Sequence, residues 1–305
     1  MRLPAETDVS VEVLNTIATR HGVDTGGCTR LADAGIFNTV YLLGEQLVLR
    51  VPRAHPGHVD ALYREAVVVP AARRAGVRTP SLVALDDTRV LLPVPYAIYE
   101  RVPGQTLASV ELDPAHAAPV WRELGHDLAS VHGVTVDLLP EQEALPDPRE
   151  LLEPRAHEGW FTGAEARWLN SWLDRLALLA PPPAGRCVLH GDSQATNVMV
   201  QTNPVAYRAV IDWGSAAWGD AANDFAGVPL RAVPFMLEGH RDLAPLEPGI
   251  EARIVWRHLQ LALLTLPRGA VPGRSWAERP LAMLLEIVRF FLARPGGAWA
   301  DLGPG

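Results

Sequence analysis

Between Val188 and Gly214 three apolar, β-like runs alternate with polar residues at fixed offsets, and this stretch constrains the chain more than any other. The first run ends at Leu189 and leads into His190-Gly191-Asp192. Asn197 opens the next run, to Val200, Asn203-Pro204 marks a turn, and Tyr207 to Ile211 reads as the returning strand, with Asp212 directly behind it. Both strands therefore bring polar side chains to one end of a hairpin. Phosphoryl transfer needs an acceptor for a hydroxyl proton and oxygen ligands for magnesium. A loop of the form His-x-Asp-x-x-x-x-Asn supplies the first as its Asp and one of the second as its Asn. The spacing thus points to Asp192 as the base and to Asn197 and Asp212 as magnesium ligands. An isolated His-Gly-Asp is more often a turn or a cap, and a glycosidase-like pairing of Asp192 with Asp212 leaves Asn197 unexplained. No second His stands at ligand spacing from His190, which reads as a hydrogen-bonder that holds the loop.

On these residues the chain resembles the aminoglycoside phosphotransferase family, relatives of the protein kinases with His-Gly-Asp in the catalytic loop and Ile-Asp-Trp on the metal strand. Gly219-Asp220-Ala221-Ala222-Asn223-Asp224-Phe225-Ala226 resembles the family's trailing element, with Ala221 where Pro is usual. Ser193 to Thr196 departs from the common filler of the loop. The resemblance implies an α+β, bilobal, protein-kinase-like fold: a nucleotide-binding lobe over residues 1–102 with the hinge at its end, and a mostly α catalytic and substrate-binding lobe over 103–305. It implies ATP (GTP not excluded) and Mg2+ as cofactors, and a structural Asp224 bonded back to the catalytic loop. The implied activity is O-phosphorylation of a small-molecule hydroxyl, first of an aminoglycoside-like antibiotic. A macrolide, a sugar, choline or homoserine are the alternatives, with a catalytically silent binding protein of the same fold as the non-enzyme reading.

The first hundred residues fit such a lobe. Ala34-Gly35-Ile36-Phe37-Asn38, Thr39 to Leu43, a Gly44-Glu45-Gln46 turn and Leu47 to Val51 read as a nucleotide-covering hairpin ending in Arg50. Arg50 stands where kinases place a Lys against the α- and β-phosphates. The chain contains no lysine, so an arginine must take that role, with planar, bidentate geometry. A helical pattern from His58 to about Gly76 sets Leu62, Ala66 and Val69 on one face and Glu65 within reach of Arg50, and Pro70 is expected to kink or end it. Leu82 to Leu85 and Val90 to Val102 read as strands. Tyr99-Glu100-Arg101-Val102-Pro103-Gly104 resembles the hinge, where Glu100 and Val102 would offer main-chain atoms to the base.

Farther on the pattern turns helical. Trp121, Leu124, Leu128 and Val131 mark one apolar face, and Trp168, Leu169, Trp172, Leu173 and Leu176 another; helices over roughly Ile250 to Leu266 and Glu278 to Ala293 follow. The stripes read as core. Glu141 to Glu158 holds six acidic residues against two arginines, which suits a polyamine acceptor or a solvated loop equally. A macrolide would instead need an aromatic groove from the nine tryptophans. Hydrophobic residues at 48% support a substantial core, and a net charge of -8 argues against a nucleic-acid surface. Cys28 and Cys187 lack metal spacing and suit a reducing compartment. The N-terminal residues show no signal-like apolar core, and charged residues interrupt both candidate spans, Arg257 and His258 in one and Glu286 and Arg289 in the other. A cytoplasmic protein without nucleic-acid or membrane partners is expected, its oligomeric state open.

Overall fold

The computed structural model describes residues 4–31, 37–110, 112, 114–267 and 280–304. After helix α1 (Val11–Arg20), strands β1 (Cys28–Leu31), β2 (Asn38–Leu43), β3 (Leu47–Pro52), β4 (Leu82–Asp86) and β5 (Tyr96–Glu100) form an antiparallel sheet in the order β1-β2-β3-β5-β4. Helix α2 (Pro56–Arg74) lies between β3 and β4 in the chain. In β2 the burial alternates residue by residue, as a strand with one covered face requires. Ile17 of α1 joins Tyr41, Leu43, Leu49, Tyr96 and Ile98 in a small core of this lobe. Leu62, Val68 and Val69 of α2 instead belong to the larger core below.

Helix α2 begins with Pro56 in its first turn and the His55 ring accepting from the Gly57 amide, both favourable at a helix start. It runs through Pro70 to Arg74, against the expected break. The proline forfeits one backbone bond and costs about 3 kcal/mol, whereas full burial of Val68 and Val69 contributes roughly 1.5–3 kcal/mol each. The expected strand from Val90 to Val102 is shorter: only Tyr96–Glu100 pairs, because Pro93 and Pro95 have no amide hydrogen for a ladder. The 34–38 loop falls largely outside the described residues.

The second lobe is mostly helical: α3 (Pro114–His132), α4 (Pro148–His157), α5 (Gly163–Leu179), α6 (Val233–Leu243), α7 (Ile250–Thr265) and α8 (Pro280–Leu292). Leu124, Leu128 and Val131 of α3 are buried as expected; Trp168 of α5 is not, at 44% exposed, while Leu169, Trp172, Leu173 and Leu176 are. Helices α3 and α6 cross so closely that a Cβ on Gly125 would lie 2.0 Å from the Met236 carbonyl oxygen, and one on Gly239 2.0 Å from that of Arg122. Short β-elements cover this bundle beneath the hinge: β6 (Gln105–Thr106), β8 (Val198–Thr202) and β9 (Val205–Val210) in one sheet, β7 (Cys187–Leu189) with β10 (Ala217–Gly219) in another.

The lobes are strapped together behind the cleft. Arg78, just past α2, bonds Asp127 and Glu123 of α3, lies 4.4 Å from the Tyr207 ring, and accepts the Val210 amide on its carbonyl. Tyr207 donates to Asp127 at 2.7 Å, so the buried carboxylate has donors from both sides. Among the described residues no helix is long and apolar enough to cross a membrane.

Candidate active site

Strand β7 ends at Leu189 and the chain turns through Gly191, whose φ of +81° and approach to the Ser215 carbonyl oxygen (2.2 Å from a built Cβ) leave room for no other residue. The turn is clamped from below. The 1%-exposed Asp224 accepts the His190 amide at 2.9 Å and the Gly191 amide at 2.7 Å, and its carbonyl accepts the Ser193 hydroxyl. His132 Nε2 sits 3.0 Å from the same carboxylate, His132 Nδ1 lies 3.0 Å from His240 Nε2, and His240 Nδ1 lies 3.2 Å from the Ala244 carbonyl. The Asp224 carboxylate and the Ala244 carbonyl are thus the acceptors at the two ends of this pair of rings. Burial favours an uncharged Asp224, but His132 and the Gly191 amide outweigh it and hold the carboxyl below its usual range. Burial, with His132 alongside, pushes His240 down to about 4.

His190 is fully buried, its ring tilted against that of Trp213 with centroids 4.5 Å apart, with Nδ1 accepting the Asp192 amide and Nε2 3.2 Å from the Ile211 carbonyl; burial holds the ring below its ordinary pKa. It thus ties the two strand ends. The Asp192 carboxylate accepts from Asn197 Nδ2 at 2.9 Å on one oxygen and from Gln194 Nε2 at 2.7 Å on the other. Burial raises the Asp192 carboxyl, and Asp212 adds to it. Asn197 belongs to a 3-10 turn, one residue before β8, and its carbonyl accepts the Ile211 amide at 2.9 Å, which brings it beside Asp212. Asp212 has φ +69°, a backbone setting that Asp tolerates better than most residues and that aims its side chain into the cleft edge, 40% exposed.

From the upper lobe Arg50 reaches both sides of this edge, with Nη1 on Glu65 at 2.6 Å and Nη2 on Asp212 at 2.9 Å. Burial would raise the Asp212 carboxyl, but Arg50 wins and keeps it low. Glu65, 2% exposed, is pushed up to about 7 by burial against the pull of Arg50, and also accepts the Tyr99 hydroxyl at 2.8 Å. Asp192, Asn197, Asp212, Arg50 and Glu65 therefore converge. Glu100 and Val102 stand apart at the end of β5 and in the hinge; the Glu100 amide donates to the Ser81 carbonyl at 3.0 Å and its carboxylate binds Ser81. Tyr99, His132 and His240 carry no motif in the sequence, since their partners lie far along the chain, and Gln194 stands two residues from Asp192 in the part of the loop that departs from the family's filler.

A magnesium ion fits the donors at the cleft edge. Asn197 uses its Nδ2 on Asp192, which leaves its amide oxygen, and Asp212 has a second carboxylate oxygen beyond the one on Arg50. Such a hard oxygen pair is what magnesium takes when nucleotide phosphates and water complete its shell. Among the described residues no group of three or more His, Cys, Asp or Glu is placed to hold a metal by itself.

A model of the phosphotransferase enzyme family matches residues 29–263. The chain belongs to that family. Three solved structures share the fold of this phosphotransferase. Aminoglycoside 2'-phosphotransferase-IIIa, as its GDP complex, is 16% identical with a TM-score of 0.61 over 90% of this chain and 96% of its own. The macrolide 2'-phosphotransferase of Brachybacterium faecium is 21% identical with a TM-score of 0.59 over 85% and 93%. An amicoumacin kinase in complex with AMP-PNP and Ca2+ is 13% identical with a TM-score of 0.55 over 89% and 91%. The α+β, bilobal, kinase-like architecture is common to them. The mouse acyl-CoA dehydrogenase family member 10 is 24% identical over 213 residues, 64% of this chain. The phosphotransferase spans 19% of that relative's length.

Proposed function

We propose that this phosphotransferase moves a phosphoryl group from ATP to a hydroxyl of a small molecule. The observation that carries the reading is Arg50 bridging Glu65 and Asp212 at the cleft edge, with the Asp192 carboxylate oriented by Asn197 behind it. Arg50 binds nucleotide phosphates, with Glu65 fixing the guanidinium; Asn197 and Asp212 hold magnesium, which when bound neutralises charge on the transferring group. Asp192 accepts or orients the acceptor's hydroxyl proton, its carboxylate kept in one rotamer by the two amides. Main-chain atoms of Glu100 and Val102 take the base, which leaves GTP open beside ATP. Cytoplasmic nucleotide and the two free cysteines suit a reducing compartment.

For the acceptor we favour a cationic, aminoglycoside-like molecule, the class named for one of the structures sharing the fold. The acidic 141–158 segment supports this less than its composition implies. Glu141 pairs with Arg186, Asp147 with Arg149 and Glu158 with Arg155, so part of its charge is already matched. For a neutral macrolide only Trp160 and Trp168 among the described tryptophans are more than a third exposed. Nucleoside diphosphate release with kanamycin, streptomycin, erythromycin, choline and homoserine, with Asp192→Asn as blank, tests the reading. Turnover above the blank with kanamycin or streptomycin, weakening in high salt, is expected. Release confined to erythromycin or homoserine overturns the polycationic choice, and none with any acceptor overturns the activity.

A further inference from the structure

Resting on the phosphotransfer reading above, we propose that Tyr99 is a positioning residue of the nucleotide-phosphate site, acting through Glu65 on Arg50. Tyr99 sits in β5 opposite Val48 of β3 and Leu82 of β4, one residue before Glu100, and is 4% exposed. Its hydroxyl donates to Glu65 Oε2 at 2.8 Å, the same oxygen that takes Arg50 Nη1 at 2.6 Å, and the Arg50 Cζ lies 5.9 Å from its ring centroid.

One carboxylate oxygen thus has a flexible donor and a rigid one. Arginine has a long stem and five N–H donors, and can satisfy Glu65 in several poses. The phenol hangs from the middle of the lobe's sheet by two rotatable bonds and cannot follow. It therefore fixes where Oε2 lies, hence where Nη1 must point, and hence the direction of Nη2 toward Asp212 and the phosphates. Burial raises the phenol well above its usual range, so it stays a donor. Because Tyr99 adjoins Glu100, the main chain that takes the base and the side chains that take the phosphates are set by the same strand end. A tyrosine that served only as packing would not need the hydroxyl: Phe would fill the same space.

Calorimetric titration with two named probes separates these roles. MgADP presents phosphates to Arg50, and adenosine does not. For Tyr99→Phe the MgADP affinity is expected to fall about fivefold, the size of one hydrogen bond, and the adenosine affinity by less than about twofold. Glu65→Gln, which keeps the volume and weakens the shared acceptor, is expected to show the same selectivity. In an Arg50→Gln background Tyr99→Phe is expected to add no further loss, since its effect runs through the guanidinium. Equal weakening of both probes, an unchanged MgADP affinity in Tyr99→Phe, or full additivity with Arg50→Gln overturns the proposal. These outcomes leave the phosphotransfer reading intact. A wild-type protein that binds neither probe sinks that reading and the role of Tyr99 with it.

Discussion

Asp224→Asn is nearly isosteric, yet it should be among the most damaging single changes in this protein. Asp224 accepts three hydrogens from below the catalytic turn, from the His190 amide, the Gly191 amide and His132. An asparagine that keeps its oxygen where Oδ2 serves His190 and His132 turns its NH2 group toward the Gly191 amide, so that donor loses its acceptor and the charge facing His132 is gone, at a site without water access. Each buried donor stranded in this way costs about 1–3 kcal/mol. With one buried donor stranded and a charge-assisted bond to His132 weakened, the expected destabilisation is about 3 kcal/mol, which in a chain of this size corresponds to a fall of roughly 5 °C in Tm. The same substitution frees the turn that carries Asp192, so turnover should drop more than nucleotide affinity does. Scanning calorimetry and MgADP titration of the purified variant measure both. A Tm within about 2 °C of wild type would show that the clamp does not hold the loop.

Asp192→Asn is expected to leave MgADP affinity nearly intact and to lower turnover at least ~100-fold, whereas Asp212→Asn should weaken both; near wild-type turnover in Asp192→Asn would falsify its role as base. Arg50→Gln and Glu65→Gln, combined in a double-mutant cycle on MgADP affinity, should show overlapping losses, and strict additivity would mean that the 2.6 Å pair does not act as a unit. His240 has a folded value of about 4 against an ordinary 6.5, so the folded state binds fewer protons than the unfolded chain between those limits. Its contribution is fully present above pH 6.5 and is lost as pH falls toward 4, amounting to about 3 kcal/mol at the acid end. Urea unfolding of wild type and His240→Gln across that window should give a difference that shrinks with acidification; a constant difference refutes it.

Chemistry with fixed local spacing was legible in the chain: the offset from Asp192 to Asn197 and the strand before Asp212 can be read without knowing what packs where. Glu65 was legible through the kinase template and the partner it needed, not through the helix itself. What escaped depends on distant contacts. Helix α6, not among the helices read from the sequence, carries Pro234 in its first turn, where proline is at home, and Gly239 in its interior, where glycine is disfavoured but lets α3 approach. Pro70 was overridden by burial. Tyr99 and Gln194 act on carboxylates whose own roles had to be known first. The 141–158 segment left a polyamine acceptor and a solvated loop equally open, and its pairing with Arg186, from outside the segment, was not readable from its composition.

The larger core has a bearing on how this protein comes apart. Leu62, Val68, Val69 and Ala72 of α2 pack in one continuous cluster with Leu124 and Leu128 of α3 and with Trp213, while β2 and β3 face a separate, smaller one. Chain order assigns α2 to the first lobe, where it packs on β3, β4 and β5, but its buried face continues through Ala97 and Tyr99 into the core of the second. Native-state hydrogen exchange is therefore expected to group the slow amides of α2 with those of β5 and α3 and not with β1 and β2, so that the outer strands of the upper sheet open first. Residues 1–102 produced alone would present that face, and Arg78 without its carboxylates, to water. The hinge at Tyr99 to Gly104 would then be a joint for motion within a cooperative unit, and cutting the chain there would not release a folded half.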